Sequence, residues 1–408
     1  MKPRMFIMLF ICHAVPLFIG MGLFPLLPLY AARFGATRTD IGVFYAVVYI
    51  ASTAGVLGTG WLAARVSRRA LFFAGATLGI PALVFMGHST ALWQVVLLTA
   101  CVWLCGGITL TLLSVFTGVL ADPASRGRVF GLMFLAYPVD ALVGGTVVGY
   151  LTTSYGYTVM FYALAAIWVI QPVVGLLGLR DPRIVRAPAR PSGSAQPIRL
   201  GHSFTLLLVA SLLAFAATSI GRLGISLSMQ ALGFAPAAVA STAMVSGLLT
   251  IPLALALGAL ADRVGGGRLL TVSYLLAAVG AGTLVVATAV WHFQLAATLL
   301  LVAWCLSRSA ASALAADLLP AEALAVGLPR LGAMDSLASI VGFALAGFVM
   351  DTLGGPALFA GAVALALGAL GVLAGMTWVG RYVARARGEA PLLESQGTVG
   401  LVPPAQAR

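Results

Sequence analysis

Two stretches with one shared pattern decide the fold of this chain: Gly60-Trp-Leu-Ala-Ala64-Arg65-Val-Ser-Arg68-Arg69 and Gly258-Ala-Leu-Ala-Asp262-Arg263-Val-Gly265-Gly-Gly-Arg268. They lie 198 residues apart (60 to 258), and each follows a long apolar run. The same shift relates several further pairs along the chain: Gly35 and Gly233, Trp93 and Trp291, Gly144 and Gly342, Gly149 and Gly347, Gly156 and Gly354. The sequence therefore contains an internal repeat and consists of two related halves.

The composition is that of an integral membrane protein. Hydrophobic residues make up 61% of the 408 residues, charged residues make up 8%, and the mean hydropathy is +1.07. Soluble domains contain about 25% charged residues. A net charge of +12 would suggest nucleic acid as a partner of a soluble protein, but the basic residues lie scattered between apolar runs. We therefore expect a lipid bilayer around the chain and no binding of nucleic acid.

Twelve apolar stretches are long enough to cross about 30 Å of hydrocarbon as helices. They lie near residues 5–32, 41–64, 70–87, 91–120, 128–153, 157–179, 204–231, 236–261, 269–289, 293–316, 322–350 and 356–380. These twelve spans predict an all-α membrane protein of two pseudo-symmetric six-helix bundles. The predicted division is a first bundle at 1–179, a cytoplasmic linker at 180–203, a second bundle at 204–380 and a disordered cytoplasmic tail at 381–408.

Basic residues predict the orientation. With both termini in the cytoplasm, the cytoplasmic segments hold 18 Lys and Arg residues, whereas the external segments hold two, Arg33 and Arg38. Cytoplasmic loops of membrane proteins carry such an excess. We expect a multi-pass monomer in a bacterial-type inner membrane with both termini in the cytoplasm.

The two stretches quoted first resemble the G-x-x-x-D-R/K-x-G-R-R/K loop of the major facilitator superfamily, although the first has Ala64 where that pattern has Asp. The resemblance covers Met5 to Arg381 and implies a secondary transporter with that fold. It also implies that the loop acid joins the halves on the cytoplasmic side, so that Asp262 faces the start of span five. The alternative is that Asp262 balances its neighbours Arg263 and Arg268. The gating residues implied are Gly60, Arg65, Arg68, Arg69, Gly258, Asp262, Arg263, Arg268, Arg126 and Arg128.

A second resemblance concerns the first span. Its stretch Gly20-Met-Gly-Leu-Phe-Pro25-Leu-Leu-Pro28-Leu-Tyr30 resembles the Pro-rich signature of drug and proton antiporters, which favours export. Two other antiporter marks are missing. Val102 stands where an R-x-x-x-G pattern would have Arg, and Asp140 opens a stretch where G-P-x-x-G-G is usual. These departures weaken the inference of proton antiport.

The residues with the most chemical information are ionisable groups inside apolar spans. A charge at the bilayer centre costs about 2.5–3.5 kcal/mol and usually has a partner or faces a wet cavity. Four charged candidates and one histidine stand on spans that, in the resembled family, line or flank the central cavity: Asp140, Arg222, Arg308, Asp335 and His13.

Each of these residues has a structural interpretation and a functional one. Arg308 and Asp335 lie at similar depths and can form a purely structural pair, for which Arg330 competes. Asp140, with no basic partner in its own half, is either a neutral acid that carries a proton or a hydrogen-bonded structural residue.

The other two ionisable residues also leave alternatives open. Arg222 is expected to meet an anionic group of a substrate or Asp140 across the cavity. His13 is either a helix contact or part of a proton relay.

No motif for ATP binding, zinc hydrolysis or a nucleophilic serine is present. We therefore expect no enzyme, no cofactor and no metal. The leading prediction is a secondary transporter that exports a small organic solute by alternating access, in exchange for protons. One alternative is an importer or exchanger of a small organic anion. Another, of a different class, is a receptor or scaffold that has lost transport.

Overall fold

The computed structural model describes residues 3–120, 129, 132–178 and 201–386, and it describes the backbone only at residues 3, 254–255, 257–264, 321–322, 325–326 and 377–386. These ranges contain helices and no strand. The helices are α1 Pro3–Leu23, α2 Leu27–Ala32, α3 Arg38–Ala63, α4 Arg68–Met86, α5 Leu92–Leu120, α6 Ala136–Trp168, α7 Ile170–Gly178, α8 His202–Ala231, α9 Pro236–Val264, α10 Gly266–Val285, α11 Val290–Leu318, α12 Ala321–Thr352 and α13 Gly354–Ala386.

The helices form twelve spans. Eleven stretches of the described chain are long and apolar enough to cross a membrane, and one of them, Leu132–Leu177, has 46 residues. At 1.5 Å per residue a straight helix of that length would reach about 69 Å, more than twice the hydrocarbon thickness. It is divided at Gly156, whose φ of 80° lies in the left-handed region. The predicted all-α architecture of two six-helix bundles is thus confirmed.

The repeated glycines explain where spans turn back. Gly35 and Gly233, related by the 198-residue shift, have φ values of 77° and 74°. Gly156 and Gly354, the next such pair, have φ values of 80° and 82°. Glycine adopts this conformation without the steric cost that a side chain brings. Both halves therefore use the same backbone turns at the same repeat positions.

The first span is broken in its last third. It was predicted as one stretch at 5–32, but α1 ends at Leu23 and α2 begins at Leu27, because Pro25 has no backbone donor and Pro28 suits the first turn of a new helix. The Tyr45 hydroxyl donates to the freed carbonyl of Phe24 at 2.5 Å. The Pro-rich stretch therefore fixes the position of Phe24.

The bundle has two ends. Each half contributes six spans, so the helix ends at Pro3, Gly178, His202 and Ala386 lie at one end, here called the termini end. α8 begins at His202, and α13 continues to Ala386, so the first six residues of the predicted tail are helical. Residues 179–200, which include most of the predicted linker, and 387–408, the rest of the predicted tail, lie outside the described residues.

The halves meet along two helix contacts near the opposite end. In the α3–α12 seam, a Cβ added to Gly42 would lie 2.7 Å from the Phe343 carbonyl and 2.9 Å from Gly347 Cα. In the α6–α9 seam, a Cβ added to Gly149 would lie 2.7 Å from Ala240 Cβ. The two seams are related by the repeat, since 42 corresponds to 240 and 149 to 347. Small residues thus let the backbones of the halves approach closely.

Candidate functional site

A cavity of about 670 Å³ lies between the two halves. Its walls come from α1, α3, α5, α6, α8, α11 and α12. It extends toward the termini end as far as Ser114 and Pro329, about two helical turns from the ends of α5 and α12. Pockets for small molecules have volumes of about 300–1,000 Å³. The size and position of this cavity therefore suit a small organic solute.

A layer of aromatic rings from both halves closes the cavity at the opposite end. Phe343 of α12 packs against Tyr49, Tyr45 and Phe24 of the first half, with ring centroids 4.8, 5.5 and 5.7 Å away. Beyond this layer the seams bring the halves into backbone contact. The structure is therefore closed at the end opposite the termini.

One wall of the cavity carries an ion pair. Arg308 Nη1 lies 2.5 Å from Asp335 Oδ2, and the two side chains are 32% and 14% exposed. Trp304 Nε1 donates to the other carboxylate oxygen at 3.3 Å. Arg330, the expected competitor, is exposed and forms no salt bridge with any described residue. Asp335 thus has two donors, and the charge of Arg308 is balanced.

Aromatic rings surround this ion pair. The Arg308 guanidinium lies 5.1 Å from the Trp304 ring and 5.8 Å from the Phe134 ring. Tyr137 packs edge-on against Trp304 with 5.1 Å between centroids. Because Trp304 and Arg308 are four residues apart on α11, they share one helix face. The pair is therefore held in a partly aromatic, low-dielectric wall.

Arg222 is the second arginine of the cavity wall. Its guanidinium lies 4.4 Å from the centre of the Phe24 ring and 6.0 Å from that of Trp304. Tyr49 is close enough to interact with it electrostatically. No salt bridge joins Arg222 to a carboxylate within the described part of the chain. This arginine therefore presents its charge to the cavity.

The sequence matches one family model over residues 9–304, that of the Major Facilitator Superfamily. The match covers more than half of the chain, and the twelve spans and the cavity between the halves agree with it. The chain belongs to the major facilitator superfamily. A comparison of the sequence of this superfamily member with curated proteins found no match.

Several solved transporter structures share its fold. A mutant of the nucleoside transporter NupG has a TM-score of 0.75 at 14% identity, over 91% of this chain and 98% of that one. The peptide transporter POT in complex with alafosfalin has a TM-score of 0.72 at 15% identity, over 92% and 95%. A bacterial homologue of the human lysosomal transporter Spinster, inward-facing and unoccupied, has a TM-score of 0.62 at 14% identity, over 92% and 95%. Because the chain belongs to this superfamily, it is a multi-pass membrane protein of a transporter family and not an enzyme.

In this superfamily member Asp140 is buried, with 5% of its surface exposed. Its Oδ2 atom has no hydrogen-bond partner among the described residues. Asp140 is absent from the described walls of the cavity and forms no salt bridge with Arg222. One turn further along α6, a Cβ on Gly144 would lie 2.6 Å from the Phe18 carbonyl of α1. No ion pair therefore joins Asp140 to Arg222, one of the two partners that the sequence leaves open for that arginine.

His13 stands apart from the charged cluster. It lines the part of the cavity nearest the termini end, together with Pro16 and Leu17 of the same helix. The structure thus brings Arg222, Arg308 and Asp335 to one stretch of the cavity and places His13 about three helical turns before Phe24, which follows α1.

The first loop motif packs within its own half. The Arg65 guanidinium lies 3.5 Å from the centre of the Trp61 ring, and Arg69 Nη2 donates to the Leu176 carbonyl of α7 at 3.3 Å. Gly60 has open space around its Cβ position, Arg68 begins α4, and Arg268 is exposed in α10. Of Gly258, Asp262 and Arg263 the structure describes the backbone only, and Arg126 and Arg128 lie outside the described residues. The expected contact of Asp262 stays a prediction.

Several residues of the site were not predicted from the sequence. They are the aromatic residues Phe24, Tyr49, Tyr137 and Trp304. The spacing of Trp304 and Arg308, one helical turn apart, is a signal that would have placed Trp304 beside the ion pair. The other three rings carry no such signal, because aromatic residues are ordinary in apolar spans.

Proposed function

We propose that this protein is a secondary transporter that moves a small organic solute across the membrane by alternating access. The observation that carries the proposal is the 670 Å³ cavity between the two halves, closed at one end by residues of both halves. Because the closure is made between the halves, a rocking motion of one half against the other can open it without unfolding either.

The proposed orientation places the termini end in the cytoplasm of a cell with a bacterial-type inner membrane, following the distribution of basic residues. The end closed by Phe343 and its aromatic partners then faces the outside. A cysteine introduced at Ser192 would be labelled from the cytoplasmic side, and one at the exposed Thr288 from the outside. The opposite labelling pattern would contradict the orientation.

Proton exchange is the proposed source of energy, and Asp140 the proposed carrier. A charged carboxylate without a partner costs several kcal/mol in an apolar environment, whereas the neutral acid avoids most of that cost. Asp140 is buried and has an oxygen without a partner among the described residues, which fits a group that binds and releases a proton. Entry of protons down their gradient would then drive export, the direction that the Pro25 and Pro28 stretch favours.

A second function, uptake or exchange of an organic anion, is supported by the unbalanced charge of Arg222. The two functions differ in how transport responds to a pH gradient. Flux of a panel of anions, neutral compounds and cations into proteoliposomes, with and without a pH gradient, separates them. Specific binding of a solute with no flux of any compound would instead indicate a receptor or scaffold.

A further inference from the structure

A second, smaller cavity lies beyond Arg222. It has a volume of about 60 Å³ and is lined by residues of α1, α6, α8, α9, α11 and the break after α1, near the closed end of the bundle. A single water needs roughly 10–15 Å³ of such space. The chamber, as we call it, is therefore large enough for a few waters or for one charged group of a ligand.

Arg222 lines both the chamber and the large cavity. It therefore stands at the boundary between the two spaces. Phe24 also lines both and packs on the guanidinium, 4.4 Å from ring centre to Cζ. A ligand that reaches from the large cavity into the chamber must pass Arg222.

The polar side of the chamber consists of buried hydroxyl groups. Thr242 and Ser246 of α9 donate their hydrogens to carbonyls of their own helix, at 2.7 and 3.0 Å. Ser226 is 1% exposed, and its hydroxyl has no partner among the described residues. Since Arg222 and Ser226 are four residues apart on α8, their side chains share a face. Together they offer a guanidinium and a free hydroxyl donor to one small space.

The charge balance of the walls favours an anion. The charged residues in the described lining of the two cavities are Arg222, Arg308 and Asp335. Asp335 already accepts hydrogen bonds from Arg308 and Trp304. One positive charge is left over, at Arg222. A cationic ligand would meet this charge in a low-dielectric space, whereas a ligand with one negative charge would balance it.

Aromatic rings line the large cavity beside Arg222. Tyr49, Tyr137 and Trp304 come from three different helices and face the same space as Phe24. Flat rings are well accommodated by stacked and edge-on contacts with such side chains. The body of the ligand is therefore expected to be aromatic, with its charged group directed toward the chamber.

We infer that the substrate is an amphipathic monoanion with an aromatic body, whose carboxylate or similar anionic group binds Arg222 and Ser226 at the chamber. This inference rests on the proposed transport function, because it names the class of solute that the cavity carries.

The first experiment measures binding to the purified full-length protein by thermal unfolding. The probes are naphthalene-2-carboxylate and benzoate, each compared with its neutral amide and with the amine of similar shape. The carboxylates should raise the unfolding temperature, and the amides and amines should bind at least about tenfold more weakly, since charge-assisted hydrogen bonds to the half-buried Arg222 are lost. Equal stabilisation by carboxylate and amide, preference for the amine, or no stabilisation by any carboxylate would overturn the inference.

Variants then locate the site. Arg222→Gln should weaken carboxylate binding by about tenfold or more, and Ser226→Ala by a few-fold. Arg330→Gln, the same change at an exposed arginine, is the matched control and should bind normally. If Arg222→Gln does not fold, Arg222→Lys replaces it, because lysine keeps the positive charge but lacks the bidentate donor geometry of arginine. The carboxylate affinity of Arg222→Lys should be lower than that of the wild type but still measurable. Undiminished binding in Arg222→Gln would overturn the assignment, and the chamber would then be a water site only.

The flux assay distinguishes a failure of the proposed substrate class from a failure of the proposed transport function. Transport of the amine or the amide, unaffected by Arg222→Gln, would refute the substrate class and leave the transporter function standing. Binding of carboxylates that depends on Arg222, with no flux of any compound, would refute transport and keep the anion site.

Discussion

Asp351, near the end of α12, accepts two hydrogen bonds from Thr39 in the first turn of α3. The backbone N–H and the hydroxyl of Thr39 each lie 2.6 Å from Asp351 Oδ2. Arg38 Nη1 adds a contact to the Met350 carbonyl at 3.4 Å. A carboxylate is favourable at this place, since the N-terminus of a helix carries a partial positive charge. The second half thus caps a helix of the first half at the closed end.

This cap exists on one seam only. The repeat shift of 198 residues relates Asp351 to Thr153 and Thr39 to Ala237, and neither of these residues carries a carboxylate. The α6–α9 seam therefore relies on close backbone packing, while the α3–α12 seam adds a charged contact.

Asp351→Ala is expected to favour opening at the end opposite the termini. The contact is solvent-exposed, so we expect a loss of about 1 kcal/mol and a roughly fivefold change in the ratio of conformations. Spin labels at the exposed positions Tyr155 and Thr288, in a background without the four native cysteines, report the distance between the halves. Asp317→Ala, at an exposed acid on the termini end of α11, is the control. Identical distance distributions in Asp351→Ala and the wild type would contradict this role.

Gly42→Ala should also favour opening at the end opposite the termini, but through packing of the seam and not through charge. The added Cβ would lie 2.7 Å from the Phe343 carbonyl in the closed seam, and overpacking of this kind costs about 1–3 kcal/mol. The cost disappears when the seam opens, so the opened population should rise about tenfold. A cysteine at Thr53, in the cavity wall, should then react faster with an impermeant reagent added outside.

Gly58→Ala is the matched control for this change. It lies on the same helix, and its Cβ position has nothing within 4 Å. Both variants gain the same helix propensity, so a difference between them isolates the seam. Equal reactivity of Thr53→Cys in the two variants would show that the seam tolerates the methyl group.

The sequence predicted the spans because an apolar run of about 20 residues crosses a bilayer as a helix, the structure that satisfies its backbone hydrogen bonds within the segment. It predicted the charged wall of the cavity because Arg222, Arg308 and Asp335 stand out within such runs. It did not predict Phe24 or Trp304 as lining residues, since nothing distinguishes an aromatic residue in the wall from one that faces lipid. Nor did it predict the cap by Asp351, whose partner is 312 residues away and belongs to the other half.

Asp335→Asn should lower the stability of the folded protein by leaving Arg308 without its counter-charge. Breaking a fully buried pair costs about 3–5 kcal/mol, and this pair, at 32% and 14% exposure, should lose less. Addition of Arg308→Gln should restore much of the loss, because no buried charge is then unbalanced. Unfolding temperature and the monodisperse fraction after purification measure both effects. A double variant less stable than Asp335→Asn alone would contradict the charge-balance explanation.

Asp140→Asn tests the coupling of transport to protons. Asparagine has nearly the same size but cannot release a proton, so accumulation driven by a pH gradient should disappear. Substrate counterflow, which needs no gradient, should stay within about twofold of the wild type, since Asp140 lies outside the described walls of the cavity. Asp317→Asn, the same change at an exposed acid, is the control and should keep both activities. Gradient-driven accumulation at the wild-type level in Asp140→Asn would show that Asp140 does not carry the proton. Either Asp335 would then be the proton carrier, or transport would not be coupled to protons. Loss of counterflow together with accumulation would instead assign Asp140 to the packing of α6 against α1, where Gly144 already brings the two helices into close contact.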